Sequence, residues 1–326
     1  MEIIKALKES GLTGRSGSGF PTGLKWEMVK NNKGKKKYII CNASEGEPKV
    51  SKDKYILENY AEEVINGIKI ALDTFRDSEA IIYINKEYYP LFKTKLTNLS
   101  KGLPISLFKK GPGYIAGEET TILEVIEGRR AEPRKKPPFP VEKGLYGMPT
   151  LINNVETFYY ISKIFKGEYF GTRFYSITGD VKSPGVYELS ADWSTKKILE
   201  ETDNYPTSEF FIQIGGGACG EIFLEKELKN KPCGSGSIIV FDKKKTKPID
   251  LMKEWADFYM KGNCNKCVPC REGGYRIVEA LNEKKVNWER INEILFVLKE
   301  TSFCSLGKSI YTPFSSLIKK ILNEKK

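Results

Sequence analysis

In the first half of the chain, short apolar runs alternate with stretches whose apolar residues recur at helical spacing. This order predicts a sheet covered by helices. Short apolar runs typical of buried strands occur at residues 37–41, 80–84 and 104–108. Between them, apolar residues at helical spacing over 54–75 and 87–96 predict two amphipathic helices. This βαβαβ order favours a parallel sheet with helices on its faces. Residues 1–167 are therefore predicted to form an α/β domain.

The pattern changes after residue 167. Four short apolar runs surround one helical segment at 195–201, so residues 168–246 are predicted to form a small α+β domain. From residue 250 the apolar positions return to helical spacing, which predicts a helical domain over 247–326. No apolar run is long enough for a membrane-spanning helix, and the charged N-terminus lacks the apolar centre of a secretion signal. We expect a cytoplasmic protein that meets a membrane only through partners, without inserting into it.

Composition narrows the chemistry. The chain has no histidine, which excludes histidine-based nucleophilic systems, histidine-ligated metals and imidazole acid–base catalysis. Its 53 basic and 42 acidic residues give a net charge of +11. Lysine runs could bind nucleic acid, but no nucleic-acid-binding motif surrounds them. A lysine-rich solvated surface, or one that steers anionic cofactors, is the better interpretation, and no nucleic-acid partner is expected.

The strongest chemical signal is a cysteine motif. Cys264, Cys267 and Cys270 form CxxCxxC, and Cys304 lies further along the chain. Zinc usually takes cysteine pairs from two separated loops, whereas three corners of a cubane suit a CxxCxxC loop with a distant fourth ligand. A [4Fe-4S] cluster is therefore favoured, with zinc as the alternative. The other three cysteines, which are expected to be buried and unreactive, are Cys41, Cys219 and Cys233.

A glycine-rich loop precedes the first strand. The segment from Gly11 to Gly23 contains five glycines, counting both ends, and glycine lets backbone N–H groups approach an anion closely. Arg15 and Lys25 could add positive charge against a phosphate. The loop is not a Rossmann dinucleotide fingerprint, because no strand precedes it and its glycines have a different spacing. Taken alone, the segment could equally be a flexible turn.

Two further polar segments point to a ligand. Residues 41–48 follow the first predicted strand, and ligands of open α/β sheets bind at the carboxyl ends of strands. Carboxylates and amides beside glycines recur at 113–120 and 153–157, with a basic and proline-rich stretch at 136–140 between them. Such groups suit sugar hydroxyls and flavin ring edges. For Glu118 and Glu119 the alternative is charge at the start of a helix.

Together these segments resemble the NADH-binding flavoprotein subunit of respiratory complex I, a family that also serves NAD-linked hydrogenases and formate dehydrogenases. The resemblance spans residues 11–307 and rests on four segments in the same order, namely GRSGSGFPTGLKW, CNASEGEP, YIAGEET with NNVET, and CNKCVPCREG with FCSLG. It implies a Rossmann-like α/β domain for FMN and NADH, then a ubiquitin-like α+β domain over 168–246. It also implies that the helical bundle over 247–326 carries the iron–sulfur cluster.

The resemblance also implies site residues, position by position. FMN contacts are expected at Gly14, Arg15, Gly17, Lys25, Asn42, Glu45, Tyr114, Gly117, Glu118, Asn153 and Asn154. NADH contacts are expected at Phe20, Glu47, Glu119, Lys136 and Phe139. The cluster ligands are expected to be Cys264, Cys267, Cys270 and Cys304. No side chain is expected to act as acid or base, and Glu45 and Glu47 are the nearest to the chemistry.

The function implied is hydride transfer between NADH and FMN, followed by one-electron transfer through the cluster to iron–sulfur partner subunits. These partners would be a thioredoxin-like [2Fe-2S] subunit and a ferredoxin-like, hydrogenase or dehydrogenase subunit. The chain departs from the family at three positions: Ser16 replaces a usual glycine, Ser44 a usual aspartate and Ala116 a common cysteine. Ser16 and Ser44 motivate the alternative, a degenerate iron–sulfur electron relay or scaffold that no longer turns over NADH. The parent complex and the physiological direction stay open.

Overall fold

The computed structural model describes residues 2–322 and divides the chain into two compact units. The first unit comprises the residues up to Gly46 together with Ser51–Pro112 and Ala116–Phe174. The second unit comprises Glu47–Val50, Gly113–Ile115 and the residues from Tyr175 onward. Two short loop segments of the N-terminal half therefore belong to the second unit.

The first unit alternates helices and strands, as its apolar pattern predicts. Its strands are β1 (Lys37–Ala43), β2 (Ser78–Ile84), β3 (Ile105–Lys109) and β4 (Thr150–Asn154). Its helices are α1 (Ile3–Glu9), α2 (Thr22–Asn31), α3 (Lys52–Thr74), α4 (Tyr89–Leu99), α5 (Glu119–Ile126), α6 (Pro140–Lys143) and α7 (Val155–Lys166). The predicted order of three strands and two intervening helices is confirmed.

The four strands form one parallel sheet in the order β3-β2-β1-β4. Asn42 lies beside Tyr83 on one side and beside Asn154 on the other. The carboxyl ends of all four strands therefore lie at the same edge of the sheet. Strand β4 was not predicted, because its two central apolar residues are too short a run to show a strand period.

Helices α3 and α7 pack together over the sheet. A Cβ atom at Gly67 would overlap the carbonyl oxygen of Phe158, so this crossing requires glycine. Val64, Ile68 and Phe158 are fully buried at this crossing, and burial of such apolar side chains is the main stabilising contribution of the packing.

The second unit contains a mixed sheet and a group of helices. Its sheet has the order β6-β5-β9-β7-β8, formed by β5 (Thr172–Gly179), β6 (Gly185–Ser190), β7 (Phe210–Ile214), β8 (Glu221–Phe223) and β9 (Ser237–Asp242), with α8 at Thr195–Glu201. Strands β5 and β9 are parallel, whereas β7 is antiparallel to both β8 and β9. The predicted strands and helix are confirmed, and the three-residue β8 is an addition.

The helices of the second unit follow the sheet. They are α9 (Pro248–Gly262), α10 (Val268–Leu281), α11 (Trp288–Thr301), α12 (Ser305–Ser309) and α13 (Tyr311–Leu317), and a π turn covers Ile318–Leu322. Trp255 and Phe314 pack edge to face in their core, with ring centroids 5.6 Å apart. No helix within residues 2–322 has the length and apolar composition needed to cross a membrane. The division of this unit at residues 246 and 247 stays a prediction.

Candidate functional site

The glycine-rich loop is closed at its base in the first unit. Thr13 forms a β-bridge with Pro21, and the N–H of Gly14 donates to the carbonyl of Phe20 at 2.9 Å. Inside the loop, Gly17 and Gly19 have φ angles of 110° and 62°, which favour glycine. The segment is therefore a closed loop with a defined backbone path, which supports an anion-binding loop over a merely flexible turn.

Arg15 anchors this loop through its side chain. The guanidinium donates to the hydroxyl of Tyr169 at 2.9 Å and to the carbonyl of Thr172 at 3.4 Å. The Cζ atom of Arg15 also lies 5.5 Å from the centre of the Tyr160 ring. The charge that we expected to face a phosphate thus faces protein groups here, and flavin contact by Arg15 stays a prediction.

A buried charged cluster lies beneath the loop. Lys52 Nζ lies 2.6 Å from Glu156 Oε2 and also donates to the carbonyl of Arg15 at 3.2 Å. Nearby, the amide of Asn154 donates to Asp53 Oδ2 at 2.7 Å. Lys52, Asp53 and Glu156 were not singled out from the sequence as site residues. Glu156 does lie in the NNVET segment, so that motif contained a signal for it.

The carboxyl ends of β1 and β4 bring several predicted FMN residues together. The amide of Asn42 donates to the carbonyl of Gly117 at 3.1 Å, and the N–H of Ser44 donates to Asn42 Oδ1 at 3.1 Å. A Cβ atom at Gly117 would overlap Ser44 Oγ, so a side chain at this position would displace that hydroxyl. Asn154 donates to the carbonyl of Asn42 at 3.3 Å. We call the group of Asn42, Ser44, Gly117 and Asn154 the strand-end cradle.

The remaining asparagine of this edge, Asn153, is also held by hydrogen bonds. With its amide turned so that the oxygen accepts from Trp26 Nε1 at 3.0 Å, its nitrogen donates to the carbonyl of Ile152. Asn153 therefore joins α2 to β4 beside the cradle, and its contact with flavin stays a prediction.

Glu45 points toward the start of α3 and is buried. Its carboxylate accepts from the N–H of Asp53 at 3.0 Å and from the hydroxyl of Tyr88 at 3.0 Å. Burial and the nearby Asp53 charge raise the pKa of Glu45 from 4.5 to about 7. A carboxyl with such a pKa exists in both protonation states near neutral pH.

Glu118 and Glu119 share Lys136, which lies 3.1 Å from Glu118 Oε1, but otherwise have different partners. Glu118 Oε2 accepts from the N–H groups of Thr120 and Thr121, each at 2.9 Å, and so caps α5, as the helix-start alternative proposes. Glu119 lies 3.6 Å from Lys25 Nζ and 2.7 Å from Lys136 Nζ. Burial would raise the pKa of Glu119, but the two lysines outweigh it and hold that pKa below its ordinary value.

Two predicted NADH residues of the first unit are exposed aromatics. Phe20 in the glycine-rich loop and Phe139 before α6 are 41% and 46% exposed. Large apolar side chains exposed in this way often mark a ligand or partner surface. Their exposure is compatible with stacking on a nucleotide base.

Glu47 and Tyr114 meet in the second unit. The hydroxyl of Tyr114 donates to Glu47 Oε1 at 2.6 Å, and the N–H of Ala218 donates to Oε2 at 3.0 Å. The thiol of Cys219 also donates to Oε1, at 2.9 Å. Burial and the Glu47 charge raise the pKa of the Cys219 thiol well above its ordinary value.

The three other cysteines differ in exposure. Cys41 is buried as predicted, and burial raises the pKa of its thiol. The prediction of burial is wrong for Cys233, which is exposed, and Cys219 is only partly buried. Both lie in glycine-rich turns beside the sheet rather than on its strands, so the neighbouring apolar runs do not cover them.

The CxxCxxC cysteines and Cys304 lie close together in the helical part of the second unit. Burial and the neighbouring Cys267, Cys304 and Cys264 raise the pKa of Cys270 to about 12. A Cβ atom at Gly307 would lie 3.4 Å from the Cβ of Cys270, so the segment after Cys304 folds against the loop. Among residues 2–322, no three acidic, cysteine or histidine side chains are placed to hold a metal ion as they stand.

The donor sets fit the groups expected from the sequence. Four thiols without histidine are the ligand set of a [4Fe-4S] cluster. The strand-end cradle combines amides, a hydroxyl and a glycine packed against that hydroxyl, which suits a flat ligand held by backbone and amide groups. Beside it, Asp53 Oδ1 is buried without a hydrogen-bond partner among the described residues, although Lys52 Nζ lies 3.6 Å from it.

Comparison with known families agrees with these features. Residues 7–163 match the family model described as the Nuo51 FMN-binding domain. Residues 250–325 match the model described as the NADH-ubiquinone oxidoreductase-F iron–sulfur binding region. The family resemblance and the FMN and [4Fe-4S] predictions are thereby confirmed.

Similar proteins cover almost the whole chain. The F subunit of the NADH-quinone oxidoreductase of Streptomyces coelicolor is 32% identical over 99% of this chain and 82% of its own length. The HndC subunit of the NADP-reducing hydrogenase of Solidesulfovibrio fructosivorans is 29% identical over 99% of this chain and 75% of its own length. A chain of the NAD+-reducing [NiFe]-hydrogenase, solved in the H2-reduced state, superposes with a TM-score of 0.89 at 27% identity. That superposition covers 97% of this chain and 61% of the hydrogenase chain.

Proposed function

Because this chain belongs to the family of the NADH-quinone oxidoreductase F subunits, which transfer electrons from NADH through FMN and an iron–sulfur cluster, we propose roles for its individual residues. The observation that carries the proposal is the strand-end cradle, where separate predicted FMN segments converge on Gly117. The alternative of a degenerate relay has less support, because Ser44 keeps its place in this cradle although it replaces the usual aspartate.

FMN would be held in the first unit by the glycine-rich loop and the cradle. When bound, it supplies the capacity to accept a hydride and to release electrons singly. Gly17 would bring its backbone N–H to the phosphate, and Lys25 would add charge. Gly14, whose own N–H donates to the carbonyl of Phe20, would let the phosphate approach the loop closely. Asn42, Asn153 and Asn154 would orient the ring through their amides. Arg15, Glu45, Tyr114 and Glu118 stay FMN contacts implied by the resemblance. The side chains of Arg15, Glu45 and Glu118 would also support these segments through the contacts described above.

NADH would be recognised by a charged and aromatic group in the first unit. Phe20 and Phe139 would pack on the nucleotide, and Glu119 would accept hydrogen bonds from ribose hydroxyls. Lys136 and Lys25 hold the Glu119 carboxylate in place from two sides. Glu47, whose carboxylate is fixed by three donors, stays a nucleotide contact implied by the resemblance.

The cluster would be held by Cys264, Cys267, Cys270 and Cys304, and electrons would leave through it to a partner subunit. Val268 and Phe303, each adjacent in sequence to a cluster cysteine, are 59% and 43% exposed. Exposed apolar residues at such a position support docking of another iron–sulfur protein, for which the thioredoxin-like and ferredoxin-like types are our candidates. The mixed sheet of the second unit would be the ubiquitin-like domain over 168–246, and contact with any membrane would come through partners.

The test is anaerobic purification of the native chain with its cofactors. We expect a flavin absorption band, iron and sulfide, NADH-dependent reduction of ferricyanide, and little reduction of quinone without partners. A protein that keeps the iron–sulfur absorption but binds no flavin would support the degenerate relay. Efficient quinone reduction by the isolated chain would contradict the need for a partner.

A further inference from the structure

Lys110 places a buried ammonium group at the carboxyl edge of the parallel sheet. It directly follows β3, and its backbone N–H donates to the carbonyl of Ile84 at the end of β2 at 2.8 Å. Its side chain crosses the end of β2 and donates to the carbonyl of Ser44 at 3.1 Å. The residue is 8% exposed, so water solvates little of its charge.

This ammonium has no ion-pair partner within residues 2–322, where no carboxylate oxygen lies within 4.0 Å of Lys110 Nζ. The other inward-facing lysines differ, since Lys52 lies 2.6 Å from Glu156 and Lys25 lies 3.6 Å from Glu119. A buried charge with one neutral hydrogen-bond partner is unfavourable unless an anion completes its surroundings. Burial lowers the pKa of Lys110 to about 8, and the Glu87 charge opposes this with a smaller effect. In most molecules the Lys110 side chain is therefore charged at pH 7.

The position of Lys110 identifies the anion. The ammonium binds Ser44, whose side chain lies against Gly117 in the strand-end cradle. Ser44 is uncharged, so no carboxylate at this position offsets the lysine. We propose that Lys110 balances the negative charge that hydride transfer brings into the FMN site and thereby raises the reduction potential of the flavin. The inference rests on the proposed placement of FMN at this cradle.

The charge arithmetic gives the direction of the effect. NADH loses a hydride and becomes NAD+, and the hydride carries two electrons and one proton to the flavin. The FMN site therefore gains one negative charge, which a nearby cation stabilises more than it stabilises the oxidised cofactor. Loss of the Lys110 charge should disfavour flavin reduction about tenfold, a shift of about 30 mV to lower potential for a two-electron couple.

The experiment measures the FMN midpoint potential in dye-equilibrated anaerobic titrations at pH 7 on the cofactor-loaded protein. Lys110→Met removes the charge and the hydrogen bond, Lys110→Gln keeps a donor for Ser44, and Lys110→Arg keeps the charge. The matched control is Lys109→Met, because Lys109 is the exposed neighbour and its loss changes the net charge equally. We expect both neutral variants at position 110 to lower the potential, and Lys110→Arg and Lys109→Met to leave it near wild type.

Several results would overturn the inference. One is a potential for Lys110→Gln equal to that of Lys109→Met, which would show that the charge has no effect. Another is loss of FMN from both neutral variants, because Lys110 would then hold the cofactor rather than balance its charge. Flavin content and NADH oxidation of the wild-type chain test the proposed function separately. A wild type that binds FMN and oxidises NADH, together with unchanged variant potentials, refutes only this inference.

Discussion

Lys52 and Glu156 form an ion pair inside the first unit, with 2.6 Å between Nζ and Oε2 and side-chain exposures of 3% and 0%. The pair joins the first residue of α3 to the first turn of α7. Each partner also holds backbone, because Lys52 donates to the carbonyl of Arg15 and Glu156 accepts from the N–H of Phe174 at 3.0 Å. The path of the glycine-rich loop thus depends on two charges that lie far from it in sequence.

Lys52→Met should strongly destabilise the chain. It would leave the buried Glu156 carboxylate with only the more distant Arg15 guanidinium, 3.9 Å away, and would also remove the cation beside Asp53. Breaking a buried pair in this way typically costs about 3–5 kcal/mol. Denaturant unfolding of the cofactor-free protein measures the change. The control is Lys69→Met on the same helix, since Lys69 forms an exposed pair with Asp73 at 3.1 Å and such pairs contribute about 0–1 kcal/mol. Equal losses in the two variants would contradict the role assigned to Lys52.

The sequence predicted those elements whose apolar spacing is visible within a few consecutive residues. The runs at β1, β2 and β3 show the strand period, whereas β4 contains Asn153 and Asn154 and lacks a long apolar run. The role of Arg15 could not be predicted, because its partners Tyr169 and Thr172 lie about 150 residues away in sequence. The sequence left two roles open for Glu118, ligand contact and helix cap, and the structure shows that it caps α5.

Cys304→Ser should lose or weaken the iron–sulfur cluster, while Cys233→Ser should not. Cys304 lies near Cys270 and affects its pKa, whereas Cys233 is an exposed thiol outside the motif. Iron and sulfide should each approach about four per chain in anaerobic wild type and in Cys233→Ser, and should fall in Cys304→Ser. Stoichiometric zinc in place of iron after anaerobic expression would show that the cluster assignment is wrong.

Glu45→Gln should stabilise the cofactor-free chain at pH 8 but not at pH 5. Burial raises the pKa of Glu45 from 4.5 to about 7, so the folded chain binds this proton more tightly than the unfolded chain does. Its contribution to stability therefore falls as pH rises through this interval. Glutamine carries no charge and keeps an acceptor for the Asp53 N–H, so the gain at pH 8 should be on the order of 2 kcal/mol.

Urea unfolding at the two pH values checks the Glu45 prediction, and FMN must be absent because a ligand would add its own stabilisation. Glu58→Gln on α3 is the control, since Glu58 is exposed. A gain for Glu45→Gln that is the same at pH 5 and pH 8 would show that the ionisation of Glu45 does not cause it.

Glu119→Gln should improve the use of NADPH more than that of NADH. In the native chain Glu119 lies 2.7 Å from Lys136 and 3.6 Å from Lys25, so it offsets both lysines and adds negative charge where a ribose phosphate would bind. Removing the carboxylate leaves Lys25 without this carboxylate and Lys136 paired only with Glu118, at 3.1 Å, so the site becomes more positive for that phosphate. A change of about 1.4 kcal/mol would be tenfold in affinity. The gain should appear mainly as a lower KM for NADPH.

Steady-state kcat/KM for both nucleotides measures the gain for Glu119→Gln, with Glu9→Gln on the exposed face of α1 as the charge-matched control. Because Gln can still accept a ribose hydroxyl, NADH should change little, and an unaltered ratio between the two nucleotides would show that Glu119 does not face the adenosine ribose.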